Sequence, residues 1–133
     1  KRPEICAPST WKTVLVTGAT GHLGKHFVRL LKTLGLDVIE SSRSLGIDVS
    51  KHCFGLDEAA YYSLANQCDA VVHCAAYVNW SCSYQALRDS NVKSIAQIAR
   101  FCADASQGRH KALLMMGSGA HFPESPANIE WIC

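Results

Sequence analysis

Three glycines at three-residue spacing, in Thr17-Gly18-Ala19-Thr20-Gly21-His22-Leu23-Gly24, stand between a short apolar run and an amphipathic segment. That arrangement leaves few folds open. The run before it, Thr13 to Val16, has the length and β-branched content of a buried strand. After it, Leu23, Phe27, Leu30, Leu31 and Leu34 recur at i, i+4, i+7, i+8 and i+11, which predicts one buried helix face, with Gly35 placed to end the helix. A strand, a glycine turn and a helix in that order open a dinucleotide-binding α/β unit. The spacing is Gly-x-x-Gly-x-x-Gly rather than Gly-x-Gly-x-x-Gly, but the physical demands agree. Gly18 makes the tight turn, Gly21 lets the backbone approach a pyrophosphate, Gly24 leaves room for helix to pack on strand, and the helix N-terminus faces the anion. Thr17, Gly18, Thr20, Gly21, His22, Leu23 and Gly24 are therefore candidate cofactor-binding residues. A plain strand-to-helix turn could carry the same glycines, but the two correct flanks favour the dinucleotide.

The rest of the chain continues the alternation. A second strand is expected at about Asp37 to Ser41, a short third at Leu45 to Val49, a helix at Asp57 to Gln67 opened by acidic residues, and a strand at Ala70 to His73. Tyr84 to Ala103 reads as the longest helix, with Leu87, Val92, Ile95, Ile98, Ala99 and Cys102 on its inner face, and Ala112 to Met116 as a last buried strand. This predicts an α/β fold: a Rossmann-type doubly wound parallel sheet of four or five strands, incomplete because such domains have a second half. Residues 1–11 read as a linker and 12–133 as the partial nucleotide-binding domain.

Composition narrows the function. In 133 residues, 13 Lys and Arg against 11 Asp and Glu are scattered along the chain, which argues against nucleic-acid binding by bulk charge. Ala112 to Met116 is the longest strongly apolar stretch, far too short to span a bilayer. The seven cysteines are odd in number and contain no Cys-x-x-Cys, so they read as reduced, mostly buried thiols of a cytoplasmic protein rather than a disulfide scaffold. His22 and His26 lack acidic or Cys partners at ligand spacing, so no metal site is expected.

Nucleotide choice turns on the end of the second strand, where an acidic residue receives a ribose 2′-hydroxyl and an Arg accommodates a 2′-phosphate. Glu40 and Arg43 compete for that role. Arg43, just past the strand beside Ser41 and Ser42, favours the phosphorylated cofactor over the alternative of a solvated loop charge. Asp48 is a candidate acceptor from the adenine amine. Ala75 and Ala76 are small residues at a strand end that let a cofactor approach the backbone, and His73 there reads as structural. Tyr77, Trp80 and Tyr84 form an aromatic group suited either to packing under a loop or to substrate contact. Ser118, after the last strand, is either a turn serine or a catalytic hydroxyl that donates to a substrate carbonyl.

Taken together, Val16 to Gly24, Val71-Val72-His73-Cys74-Ala75-Ala76-Tyr77-Val78-Asn79-Trp80, Tyr84-Gln85-Ala86-Leu87-Arg88 and Asn91-Val92 resemble the thioester reductase domains that end nonribosomal peptide synthetases, polyketide synthases and aminoadipate or carboxylic acid reductases. These are extended short-chain dehydrogenase/reductases, and the likeness runs from about Thr13 to Phe122. It implies NADPH-dependent reduction of an acyl or peptidyl thioester, held on a phosphopantetheine carrier domain, to an aldehyde or alcohol. Gly18, Gly21 and Gly24 then match the pyrophosphate loop, Arg43 the 2′-phosphate arginine, Asp48 the adenine-side aspartate, Ala75 and Ala76 the segment beside the cofactor, and Ser118 the catalytic Thr or Ser. The resemblance has departures. The family's Tyr-x-x-x-Lys pair would lie beyond Cys133, so this chain without the remainder of the reductase domain is expected to be inactive. The connection Ser44 to Gly46 is short, Cys74 stands where Asn is commoner, and Lys93-Ser94-Ile95 replaces x-Gly-Thr. The alternative expectation is a catalytically degenerate nucleotide-binding or regulatory module of the same superfamily.

Overall fold

A computed structural model of the chain describes residues 10–104 and 110–117. Its elements are β1 (Thr13–Thr17), α1 (Gly24–Thr33), β2 (Asp37–Ser41), α2 (Glu58–Gln67), β3 (Ala70–His73), α3 (Tyr84–Arg88), α4 (Ser94–Ala103) and β4 (Ala112–Met115). Among the described residues the strands form one sheet, in the order β2-β1-β3-β4, with every pair parallel. In register, Thr17 lies beside Ser41 on one side and His73 on the other. The chain thus leaves β1 toward β2 by one crossover and reaches β3 by another, which makes the carboxyl end of β1 a topological switch point.

The sheet is buried from both sides. Val14, Val16, Val28, Leu31, Ala70 and Val72 pack under α1, while Leu15, Val71, Phe54, Tyr61, Ile98 and Phe101 pack beneath α2 and α4. On the second face the Phe54 ring centroid lies 4.9 Å from that of Phe101 and 5.4 Å from that of Tyr61. Asp57 caps α2 by accepting from the Ala60 amide at 2.9 Å. At the end of α1, Gly35 adopts φ +78°, and the Gly35 and Leu36 amides donate to the Lys32 and Leu31 carbonyls, closing the helix as its position predicts.

Three expectations need correction. The inward face of α1 is Gly24, Val28 and Leu31, with Phe27 at its margin, whereas Leu23, Leu30 and Leu34 are exposed. Only Leu31 of the expected leucines lies on the buried stripe, because Gly24 must sit against the glycine turn and that contact sets the rotation of the helix. The long helix is interrupted and partly rotated: Asp89–Lys93 forms a π-helical turn between α3 and α4, and Ile98 is buried as expected, but with Ser94 and Phe101 beside it, while Val92, Ile95 and Ala99 are exposed. Finally, Leu45 to Val49 is not a strand. Residues Arg43–Leu45 form a 3-10 turn ended by Gly46 at φ +83°, and Asp48 bonds the Ser50 amide at 3.1 Å, so the segment folds back on itself and leaves β2 at the sheet edge.

Candidate dinucleotide-binding crevice

β1 ends in Thr17, which is fully buried and ties three pieces of the site together. Its hydroxyl lies 2.7 Å from His73 Nδ1 and accepts from the Ala75 amide at 3.3 Å, while its carbonyl accepts from the Cys74 amide at 3.2 Å. With the imidazole proton on Nε2, one chain of donors satisfies all of these: Ala75 N–H to Thr17 Oγ1, and Thr17 O–H to His73 Nδ1. Burial holds the His73 pKa below its ordinary value, which keeps the ring neutral and able to accept.

Above this knot the backbone turns at Gly18. Its φ is +65°, and a Cβ there would lie 2.8 Å from the Ala75 nitrogen and 2.9 Å from the Ala75 Cα. Only glycine fits both constraints. The Gly21 amide donates to the Gly18 carbonyl at 2.9 Å, and that same carbonyl occupies the place that a Gly24 side chain would need. The Ala19 amide donates to the Ser41 carbonyl at 3.1 Å, which anchors the turn on β2. The first turn of α1 has no acidic residue and no side-chain cap, so an anion would meet the positive end of the helix without a competing carboxylate.

A cleft of about 400 Å³ opens over the carboxyl ends of β1, β2 and β3. Gly18, Thr20 and Gly21 line it on one side, Ser42, Arg43 and Asp48 on another, and Cys74, Ala75 and Ala76 on the third. The structure therefore gathers Gly18, Thr20, Gly21, Arg43, Asp48, Ala75 and Ala76 around one space. Thr17 and Gly24 support that space from beneath, and His22 and Leu23 are exposed outside its lining. Ser118 lies outside the described residues.

The charges in the cleft are mixed. Burial works to raise the Asp48 pKa, but the Ser50 hydroxyl at 2.6 Å and the Ser50 amide, helped by Lys51 and Arg43, outweigh it and hold the carboxyl below its ordinary value. Asp48 is thus an ionised acceptor. Arg43 is exposed to the cleft, with Ser42 and Ser44 beside it and bonded to each other at 2.8 Å. Glu40 is absent from the lining and pairs instead with Lys32 at 2.8 Å.

Three supporting residues have roles that no sequence pattern assigns. Ser44 and Ser50 offer no pattern, since loop serines are common. Asn91 clamps the strand-to-helix loop by accepting from the Tyr77 amide at 2.7 Å and donating to the Tyr77 carbonyl at 2.9 Å. It stands in the π turn, which offsets the helix and brings Asn91 opposite that loop, a contact across fourteen residues that no local signal reveals. Tyr77, Trp80 and Tyr84 do not pack as a buried group: Trp80 is 95% exposed and Tyr84 62%. Among the described residues no group of three His, Cys, Asp or Glu could hold a metal ion, and no helix is long and apolar enough to cross a membrane.

A parallel sheet with a glycine cradle over its switch point, a helix N-terminus free of acid and a cleft at the strand ends defines the dinucleotide-binding class of α/β proteins. Comparisons place the chain within it. Residues 37–130 match the NAD_binding_4 family, described as male sterility protein. The chain belongs to that family. It is 36% identical over 121 residues to the hybrid PKS-NRPS synthetase pvhA of Talaromyces variabilis, covering 80% of this chain and 3% of that protein. It is 32% identical over 124 residues to the L-2-aminoadipate reductase large subunit of Penicillium chrysogenum, covering 68% of this chain and 9% of that protein. The terminal R domain of the myxalamid PKS-NRPS pathway has the same fold, with a TM-score of 0.69 at 22% identity over 82% of this chain and 35% of that one. The chain thus spans only a small part of the length of the curated relatives it matches.

Proposed function

We propose that the crevice binds NADPH and that the chain is the nucleotide-binding portion of a reductase acting on carrier-bound acyl thioesters. The observation that carries the nucleotide reading is the arrangement of the cleft: a turn where a Cβ would strike backbone faces Arg43 across a space into which Glu40 does not project. The cradle fits a pyrophosphate at Gly18 and Gly21, Arg43 with Ser42 and Ser44 fits a 2′-phosphate, and ionised Asp48 can accept from the adenine amine. Ala75 and Ala76, held by Thr17, present bare backbone along the cofactor's path.

The thioester reading rests on kinship with PKS-NRPS hybrid synthetases and an aminoadipate reductase. In this reading bound NADPH supplies hydride to the thioester carbonyl carbon. Ser118, which follows the last strand in sequence, would donate a hydrogen bond to the carbonyl oxygen as charge develops on it. The C–S bond then breaks, so that acyl thioester, NADPH and a proton become aldehyde, free pantetheine thiol and NADP⁺; a second hydride gives the alcohol. The parent polypeptide that carries this segment, offered NADPH and an acyl-pantetheine thioester, is expected to release thiol and aldehyde in step with nicotinamide oxidation. Nucleotide binding with no thiol release would assign the segment to a nucleotide-sensing module instead.

A further inference from the structure

Two charges stand near the end of β2, Glu40 and Arg43, and only one of them is paired with a lysine. Glu40 is the penultimate residue of β2, beside Val16 and next to Ser41, whose carbonyl anchors the glycine turn. A carboxylate at this end of the second strand is the group that receives a ribose 2′-hydroxyl. Here its Oε1 lies 2.8 Å from Lys32 Nζ, in the last turn of α1. Because α1 begins at the glycine turn and ends where the chain enters β2, its last turn lies at the far end of the sheet from the cleft. The ion pair therefore draws Glu40 back along the strand, away from the nucleotide.

We propose that Lys32 sets nucleotide preference by holding Glu40, a role that rests on the NADPH reading above. Two effects act with one sign. The carboxylate is withdrawn from a 2′-hydroxyl, which disfavours NADH, and its charge is neutralised, which removes repulsion from a 2′-phosphate at Arg43. Lys32 and Glu40 side chains are 56% and 36% exposed, so the pair adds little to stability and can be broken without unfolding the chain. Lys32 touches no cofactor in this account; it is a positioning residue.

The test is calorimetric titration of the chain with NADPH and NADH, repeated for Lys32→Met, Lys32→Gln, Glu40→Gln and Lys32→Met/Glu40→Gln, with circular dichroism confirming that each is folded. Both Lys32 variants are expected to lower the NADPH-to-NADH affinity ratio by about two- to fivefold, the range of an exposed ion pair. The double variant should regain the original ratio, and Glu40→Gln alone should leave NADH affinity unchanged. An unaltered ratio in folded Lys32 variants of a chain that prefers NADPH overturns this inference alone, as does a double variant that behaves like the single one. A chain that prefers NADH, or binds neither nucleotide, overturns the cofactor reading and this inference with it.

Discussion

At Gly18 a positive φ and a Cβ-excluding contact with Ala75 coincide, so replacement meets two penalties at once. Gly18→Ala is expected to cost about 1–3 kcal/mol from backbone strain alone, with further loss from the clash against backbone that cannot rotate aside. Denaturant titration reads the stability, and nucleotide affinity should fall with it. His73 supplies a second residue-scale outcome. Its folded pKa lies below the 6.5 of a free imidazole because burial penalises the cation. The unfolded chain therefore takes up this proton first as pH falls. The contribution is complete above the unfolded value and is lost as pH descends through the folded one. His73→Asn, which keeps an acceptor for Thr17, should be less stable at neutral pH yet lose less stability than the parent on going to about pH 5, as denaturation midpoints at the two pH values will show. Cys68 and Cys102, whose thiols burial pushes up to about 12 and about 11, should resist alkylation at neutral pH.

At the scale of elements, the strands were the most legible part of the sequence. Ala70–His73 occurs as its apolar run predicts, because a strand buried on both faces needs little beyond hydrophobicity and length, and the half-buried Asp37–Ser41 occurs where expected as well. Helix rotation was not legible. The leucines of α1 outnumber its small residues, yet the small residue Gly24 fixes which side meets the sheet, since its missing side chain is what the Gly18 carbonyl requires. Leu31→Ala should thus cost about 2–5 kcal/mol while Leu30→Ala costs well under 1, a contrast that chemical denaturation resolves. The segment after β2 misled for another reason. Its apolar residues Leu45, Ile47 and Val49 alternate as a strand would, but Gly46 and the Asp48–Ser50 turn supply local hydrogen bonds that compete with a ladder. That same turn brings Arg43 and Asp48, both candidates from the sequence, into one cleft with Ser44 and Ser50, which no sequence pattern marks. The next turn holds Cys53 and Phe54 at φ +48° and +57°, strain that the burial of Phe54 among Tyr61 and Phe101 offsets.

Across the whole molecule the two central strands and the two outer ones differ in kind. β1 is shielded on both faces and both edges, and four of its residues, Val14, Leu15, Val16 and Thr17, have no exposure at all. β4 pairs only with β3 among the described residues, and its Met115 is 43% exposed. Native-state hydrogen exchange should accordingly show β1 and β3 amides protected to near the global unfolding free energy and β4 amides opening at lower cost. Uniform protection across the four strands would mean that the edge is covered in solution.

The most direct measurement is calorimetric titration of the chain with NADPH and NADH, alongside Arg43→Ala. A crevice built as described binds NADPH more tightly than NADH, and Arg43→Ala removes the difference while leaving NADH binding nearly unchanged, because the lost contact is to the 2′-phosphate alone. Equal affinity for the two nucleotides, or an NADPH preference that survives Arg43→Ala, would contradict the assignment of the cleft.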